Sequence, residues 1–257
     1  MPTSPDELRS LVEERLDALR LWPELHGQAE SVRYSLTVGG KRVRPVICLA
    51  TAEAAGCEPE EAVPAALALE LVHTFSLVHD DLPALDDDEE RRGRPSTWKQ
   101  YGEAVGILAG DALLAEAFRL ATAYDTPHVA RELANATLGM IGGQYLDITG
   151  TAPNEATLHS LKTGRLFAAA VGLALSVAAV PNAEQKPWRA FGEELGLLFQ
   201  IVDDILDGDG YVVTHGVDGA RRLADEAAER ARLRLAEVDA DTSVLREIVD
   251  SLAVRTA

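Results

Sequence analysis

Two acidic segments carry the residues most suited to chemistry. From Leu77 to Pro95 the chain reads LVHDDLPALDDDEERRGRP, with seven acidic residues in the eleven positions from Asp80 to Glu90 and then a switch to Arg91 and Arg92. From Phe191 to Asp207 it reads FGEELGLLFQIVDDILD, which closes on Asp203, Asp204 and Asp207. Carboxylates beside an apolar interior are costly unless they are paired, protonated or held by a cation. Asp203 and Asp207 lie four apart and share a helical face; Asp80 and Asp81 precede Pro83, and Asp86 arrives after the turn. All of these are hard oxygen donors, with no adjacent cysteine and no HExxH pattern, so the set suits Mg2+ better than zinc. Magnesium keeps few protein ligands and leans on substrate phosphates, so a phosphorylated substrate is the implied partner.

A solvated acidic loop is the ordinary reading of either cluster alone in a chain with 42 Asp and Glu. Two such clusters, each ending an apolar helix, argue for a site. GGKRVRP at Gly39 to Pro45 adds Lys41, Arg42 and Arg44 after two glycines whose backbone N–H groups can approach a phosphate closely. Arg91 and Arg92 bring guanidinium forks matched to phosphate oxygens. Two cationic sites beside two acidic ones imply two separate phosphate groups.

Helices must position these groups. Ala, Leu, Glu and Arg dominate, the apolar periodicity is helical, and no alternating pattern is bounded by Asn-Gly or Asp-Gly turns. We expect an all-α, single-domain bundle in which Pro64 to His79 and Phe191 to Asp207 are interior helices. Breaks are expected near Gly39, from Gly56 to Pro64, in the acidic stretch, and at the turns beginning at Tyr124, Thr149 and Val180. With 257 residues and 47% hydrophobic content, the chain can bury one large core. A formal net charge of -18 disfavours nucleic acid and anionic membrane surfaces as partners. The start, MPTSPDELRSLVEERL, has no basic stretch followed by an apolar one, and the only cysteines are Cys48 and Cys57, so a cytoplasmic protein with free thiols is expected. The apolar run from Leu166 to Val180 falls short of the roughly 20 residues of a membrane span and reads as a core helix.

The pieces GGKRVRP, HTFSLVHDDLPALDDDEERRGRPSTW, AVGILAGDALL, GGQYLDI, KTGRLFAAA and GLLFQIVDDILD together resemble the trans-isoprenyl diphosphate synthases, in family order across most of residues 30 to 207. The resemblance, close to the bacterial farnesyl diphosphate synthases, implies an isoprenoid-synthase bundle around a central prenyl pocket. It implies that Asp80, Asp81, Asp86, Asp203, Asp204 and Asp207 hold about three Mg2+ ions with an allylic diphosphate. Arg91 and Lys162 would contact that diphosphate, while isopentenyl diphosphate would sit on Lys41, Arg44, His73 and Arg92. Thr163 and Gln200 would offer oxygen dipoles to a carbocation, with Gln144 and Asp147 in support. Phe75 and the small Ser76 would set the product at fifteen carbons, a homodimer is implied, and a geranylgeranyl diphosphate synthase is the runner-up.

One departure from the family pattern matters. After Asp207, relatives carry roughly twenty further residues including a lysine directed at the allylic diphosphate; here GDGYVVTHGVDGARRLADEA follows directly, and no lysine occurs after Lys186. A wetter site and weaker allylic binding are expected, with Arg221 or Arg222 as candidate replacements. A class I terpene cyclase would not need the GGKRVRP site, whereas a non-catalytic prenyltransferase-like subunit would tolerate the shortening.

Overall fold

The computed structural model describes residues 2–254. Helix α1 (Pro5–Asp17) begins with a capping box in which Ser4 and Glu7 satisfy each other's backbone N–H groups, and α2 (Gln28–Thr37) and α3 (Val43–Ala54) follow. The long α4 (Pro59–Asp80) is buried along almost its whole length. A short α5 (Thr97–Tyr101) leads into α6 (Glu103–Ala121) and α7 (His128–Thr149). The next helix changes pitch: α8 (Glu155–His159) passes through a π-helical turn at Ser160–Gly164 into α9 (Arg165–Val177). Helices α10 (Gln185–Asp207), α11 (Gly210–Ala236, broken at Gly216) and α12 (Ser243–Ala253) complete the chain.

The apolar helices sit where their composition requires. α4 packs against α3, α6 and α9, while α9 is also covered by α3, α7 and α10, so both helices lack a solvent face wide enough for charge. Phe167, Leu173 and Leu175 of α9 are fully buried, as are Leu69 and Leu71 of α4. Each such side chain contributes about 1.5–3 kcal/mol of burial. By length and hydropathy alone, Pro59–Asp80 and Glu155–Val177 could each cross a membrane, but two thirds of the first window and half of the second are buried inside the bundle. Cys48 is buried and Cys57 half-buried, and neither is in a disulfide.

Local expectations fail at two points. α4 begins at Pro59 and runs through Pro64, where the sequence suggests a break. The hydroxyl of Tyr124 is spliced into the helical ladder, accepting from Ala65 N–H at 3.1 Å and donating to the Glu61 carbonyl at 2.9 Å, which repairs the turn that the proline disturbs. The acidic stretch also contains strand: Glu90–Arg91 and Arg94–Pro95 form an antiparallel ribbon, β1 and β2, closed by Arg92 and Gly93, both with positive φ. This ribbon folds the basic pair back over the end of α4.

Candidate active site

A cavity of about 910 Å³ opens among α4, α7, the π turn, α9 and α10. Asp80, the last residue of α4, and Asp203, in the last turn of α10, both line it. The cationic residues read from the sequence gather there as well: Lys41, Arg44, Arg91, Arg92 and Lys162 all line the cavity, with His73, Gln144 and Thr163. Its apolar lining includes Phe75, Met140, Ile141, Leu166 and Phe199, with the small Ser76. Polar groups and apolar walls in one cavity suit an amphiphile with an anionic head.

The electrostatics of the acidic helix ends favour a bound cation. Burial raises the Asp80 carboxyl to about 6, with Asp86 and Asp81 pushing the same way and Lys162 and Arg91 opposing. Burial also raises Asp203, followed by repulsion from Asp207. No three His, Cys, Asp or Glu among the described residues come together closely enough to hold an ion by themselves. Asp80 and Asp203 offer hard carboxylate oxygens, the donor type that suits a divalent ion such as Mg2+, which keeps few protein ligands. Buried polar atoms in the cavity wall point to a ligand, since Arg44 Nε and Gln144 Oε1 have no hydrogen-bond partner.

On the cationic side, the Arg44 guanidinium lies 4.5 Å from the Phe167 ring centroid and 5.7 Å from that of Phe199. Burial lowers it to about 10, which leaves it protonated at neutral pH. Arg91 Nε donates to Asp81 at 2.7 Å and its Nη2 reaches Asp88 at 3.2 Å, while Arg92 donates to the Gly39 carbonyl. Burial holds His73 well below its ordinary value, helped by Arg44, Arg92, Arg42 and Arg91, so it faces the cavity as a neutral imidazole. Lys162 pairs with Asp147 across the α7 to π-turn contact. That contact is possible because Gly143 has no side chain: a Cβ there would lie 2.5 Å from the Lys162 backbone nitrogen.

Six residues read from the sequence as site residues do not line the cavity: Asp81, Asp86, Asp147, Gln200, Asp204 and Asp207. Asp204 is 4% exposed and does not line the cavity; Gln200 Nε2 donates to its Oδ1 at 2.6 Å and the Tyr211 N–H to its Oδ2 at 2.9 Å, so both carboxylate oxygens are engaged within the chain. Gln200 is thereby turned to Asp204 and away from the cavity. Asp81 is 2% exposed, bound to Arg91, and lines a separate cavity of about 30 Å³ beside Ser96. Arg42, at a cavity edge, spends its donors on Glu13, Glu70 and the Leu36 carbonyl. Asp86 and Asp207 are exposed and lie outside the cavity lining. The structure also adds residues that local pattern does not reveal. Arg9 of α1 reaches the rim, 3.4 Å from the Gly40 carbonyl. His79 lines the wall with its ring edge-on to Phe75 at 4.9 Å.

The sequence pattern of the polyprenyl synthetases matches residues 27–217. The chain belongs to this family. A geranylgeranyl diphosphate synthase of Cyanophora paradoxa is 45% identical over 197 residues, covering 69% of this chain and 64% of that one, so less than two thirds of that relative's length is matched. A farnesyl diphosphate synthase of Geobacillus stearothermophilus is 34% identical over 287 aligned positions, covering 97% of this chain and 96% of the relative. That alignment is longer than the 257-residue chain, so at least 30 of its positions fall on residues this polyprenyl synthetase lacks. The crystal structure of a geranyltranstransferase from Thermotoga maritima superposes with a TM-score of 0.85 at 29% identity, covering 98% of each chain. The fold is therefore that of the isoprenoid synthases.

Proposed function

We propose that this polyprenyl synthetase condenses an allylic diphosphate with isopentenyl diphosphate in a Mg2+-dependent reaction and releases farnesyl diphosphate. The observation that carries this reading is the convergence of Asp80, Asp203 and a separate cationic wall on one cavity with an apolar lining. Bound with the allylic diphosphate, Mg2+ would neutralise charge on the leaving group. Asp80 and Asp203 would hold it. Lys162 and Arg91 add positive charge where the diphosphate departs, in a site where such charge is worth more than in water. Lys41, Arg44 and Arg92 bind the second diphosphate, and neutral His73 donates to it without adding charge. Thr163 turns an oxygen dipole toward the allylic carbon as cationic character develops. Met140, Leu166 and Phe199 keep water away from that carbon. The isopentenyl double bond then forms the new C–C bond, and the released diphosphate takes the proton, since no side chain among those lining the cavity is placed as an evident base.

Phe75 forms the floor beneath Asp80 and supports a fifteen-carbon product, with the geranylgeranyl product as the alternative. Leu138 of α7 and Ile107 and Leu108 of α6 are exposed apolar residues outside the cavity lining, on helices that pack together, and we infer a homodimer through this face. Sedimentation as a monomer at micromolar concentration would remove that inference.

The decisive assay supplies dimethylallyl and isopentenyl diphosphates with Mg2+ and extracts the products. Linear prenyl diphosphates are expected, abolished by chelator; a cyclised hydrocarbon would replace the reading with a cyclase. A non-catalytic subunit is the second reading, favoured by the engagement of Asp204 within the chain. Calorimetric binding of both diphosphates with no condensation would establish it.

A further inference from the structure

We infer that Tyr211 is a positioning residue: it pins the π turn that carries Lys162 and Thr163 to the second acidic helix end, and so sets the lysine at the cavity. Only Gly208 and Asp209 separate α10 from α11, so α11 starts against the end of α10. The Tyr211 N–H caps Asp204 at 2.9 Å, and Gly210 is indispensable to that approach, because its φ is +43° and a Cβ would lie 2.2 Å from Asp204 Oδ2. The Tyr211 ring contacts His159 of α8 at 5.6 Å between centroids and, within α11, His215 at 6.0 Å. His159 ends α8 and directly precedes the π turn. A second tie runs parallel, from Thr214 Oγ1 to Glu155 at 3.2 Å. Lys162 lies three residues beyond His159 and pairs with Asp147 on α7, and the π turn itself also packs on α7 and α10. The seam therefore joins α10, α11 and the π turn by contacts that depend on the two-residue link. The connection to allylic diphosphate binding rests on the proposed condensation, whereas the seam stands on the contacts alone.

Backbone amide exchange across residues 155–164, in the whole chain without ligand, reads the seam without turnover. Tyr211→Ala should speed exchange there by about threefold to tenfold, in line with the loss of the aromatic contact to His159, and leave α12 unaffected. Tyr211→Phe retains the ring and the backbone N–H and should match the parent. If Tyr211→Ala does not fold, His159→Ala removes the α8 side of the seam and leaves the Asp204 cap intact, with the same local change expected. In turnover, the alanine variant should raise KM for the allylic diphosphate about tenfold and leave that for isopentenyl diphosphate within about twofold. Parent-like exchange over 155–164 in both alanine variants overturns the assignment, as does an equal rise in both KM values. Faster local exchange in a chain that never condenses substrates would uphold the seam and remove the condensation instead.

Discussion

The two acidic helix ends are alike in sequence and different in the connections that leave them. After Asp80 the chain takes a long excursion through the acidic turn and the ribbon, which returns Arg91 and Arg92 to the cavity. After Asp207 it turns within two residues, and the Tyr211 N–H at the start of α11 meets Asp204. The first end is answered by cationic side chains that a ligand can recruit. The second is answered in part by the Tyr211 N–H, a donor fixed at the start of α11 that no side-chain rotation can withdraw. The length of the connection after an acidic helix thus decides how many of its carboxylates remain available.

The largest effects should come from the carboxylates that face the cavity. Asp80→Ala and Asp203→Ala should each lower kcat by about a thousandfold or more, since each removes a group acting on the leaving diphosphate. The apo proteins should be as stable as the parent or more so, because a desolvated, repelled carboxylate is gone. Asp204→Ala should behave in the opposite way. It strands Gln200 and the Tyr211 N–H and should cost about 1–3 kcal/mol, visible as a lower Tm. If Asp204→Ala is inactive with unchanged Tm, the contrast between the two ends fails.

Lengthening the second connection should bring it closer to the first. A relative's segment grafted between Asp207 and Tyr211 should raise kcat/KM for the allylic diphosphate by about one to two decades, the worth of one charge-assisted contact, and that for isopentenyl diphosphate by less. Unchanged constants in a folded graft would make the shortening catalytically neutral, and Arg221 or Arg222 need not be invoked.

A smaller effect tests the first end one turn deeper. Phe75→Ala should open the floor and move products toward twenty carbons or longer, read by chromatography of the dephosphorylated alcohols. The same product distribution as the parent would relieve Phe75 of its role as the stop.

The smallest effect is a pH slope. The folded His73 binds a proton less readily than its unfolded counterpart, so the unfolded state carries the extra proton below about pH 6.5, and stability falls as pH drops through that value by up to about 1.4 kcal/mol per unit. His73→Gln should flatten this part of the denaturation midpoint against pH. An unaltered slope would mean that other groups dominate acid unfolding.

Much of the fold and the site is legible in the sequence because helices and clustered charge are local. The apolar lengths of α4 and α10, their aspartate ends and the basic segments are all visible as periodicity or composition. The features that escape depend on partners distant in the chain. Pro64 reads as a break until Tyr124 supplies a hydroxyl from another turn. Asp204 reads like its neighbour Asp203 until α11 folds back on it. Arg9 has no distinguishing neighbours and acquires its place at the rim only through the packing of α1. The ribbon is too short to show alternation, and the π turn at Ser160–Gly164 has no residue pattern of its own.

That π turn makes the helix sensitive to counting in a way that side-chain chemistry is not. A wide turn holds one more residue than an α turn, so it offsets the rotational phase of everything before it by about 100° relative to α9. Most single substitutions between Ser160 and Gly164 keep this phase. Deleting Thr163 or Gly164 would let the helix close into regular α pitch, with the apolar face of α9 still docked in the core and Lys162 carried round the barrel of the helix, away from the cavity. Along this segment the reading frame of the helix is the quantity under constraint.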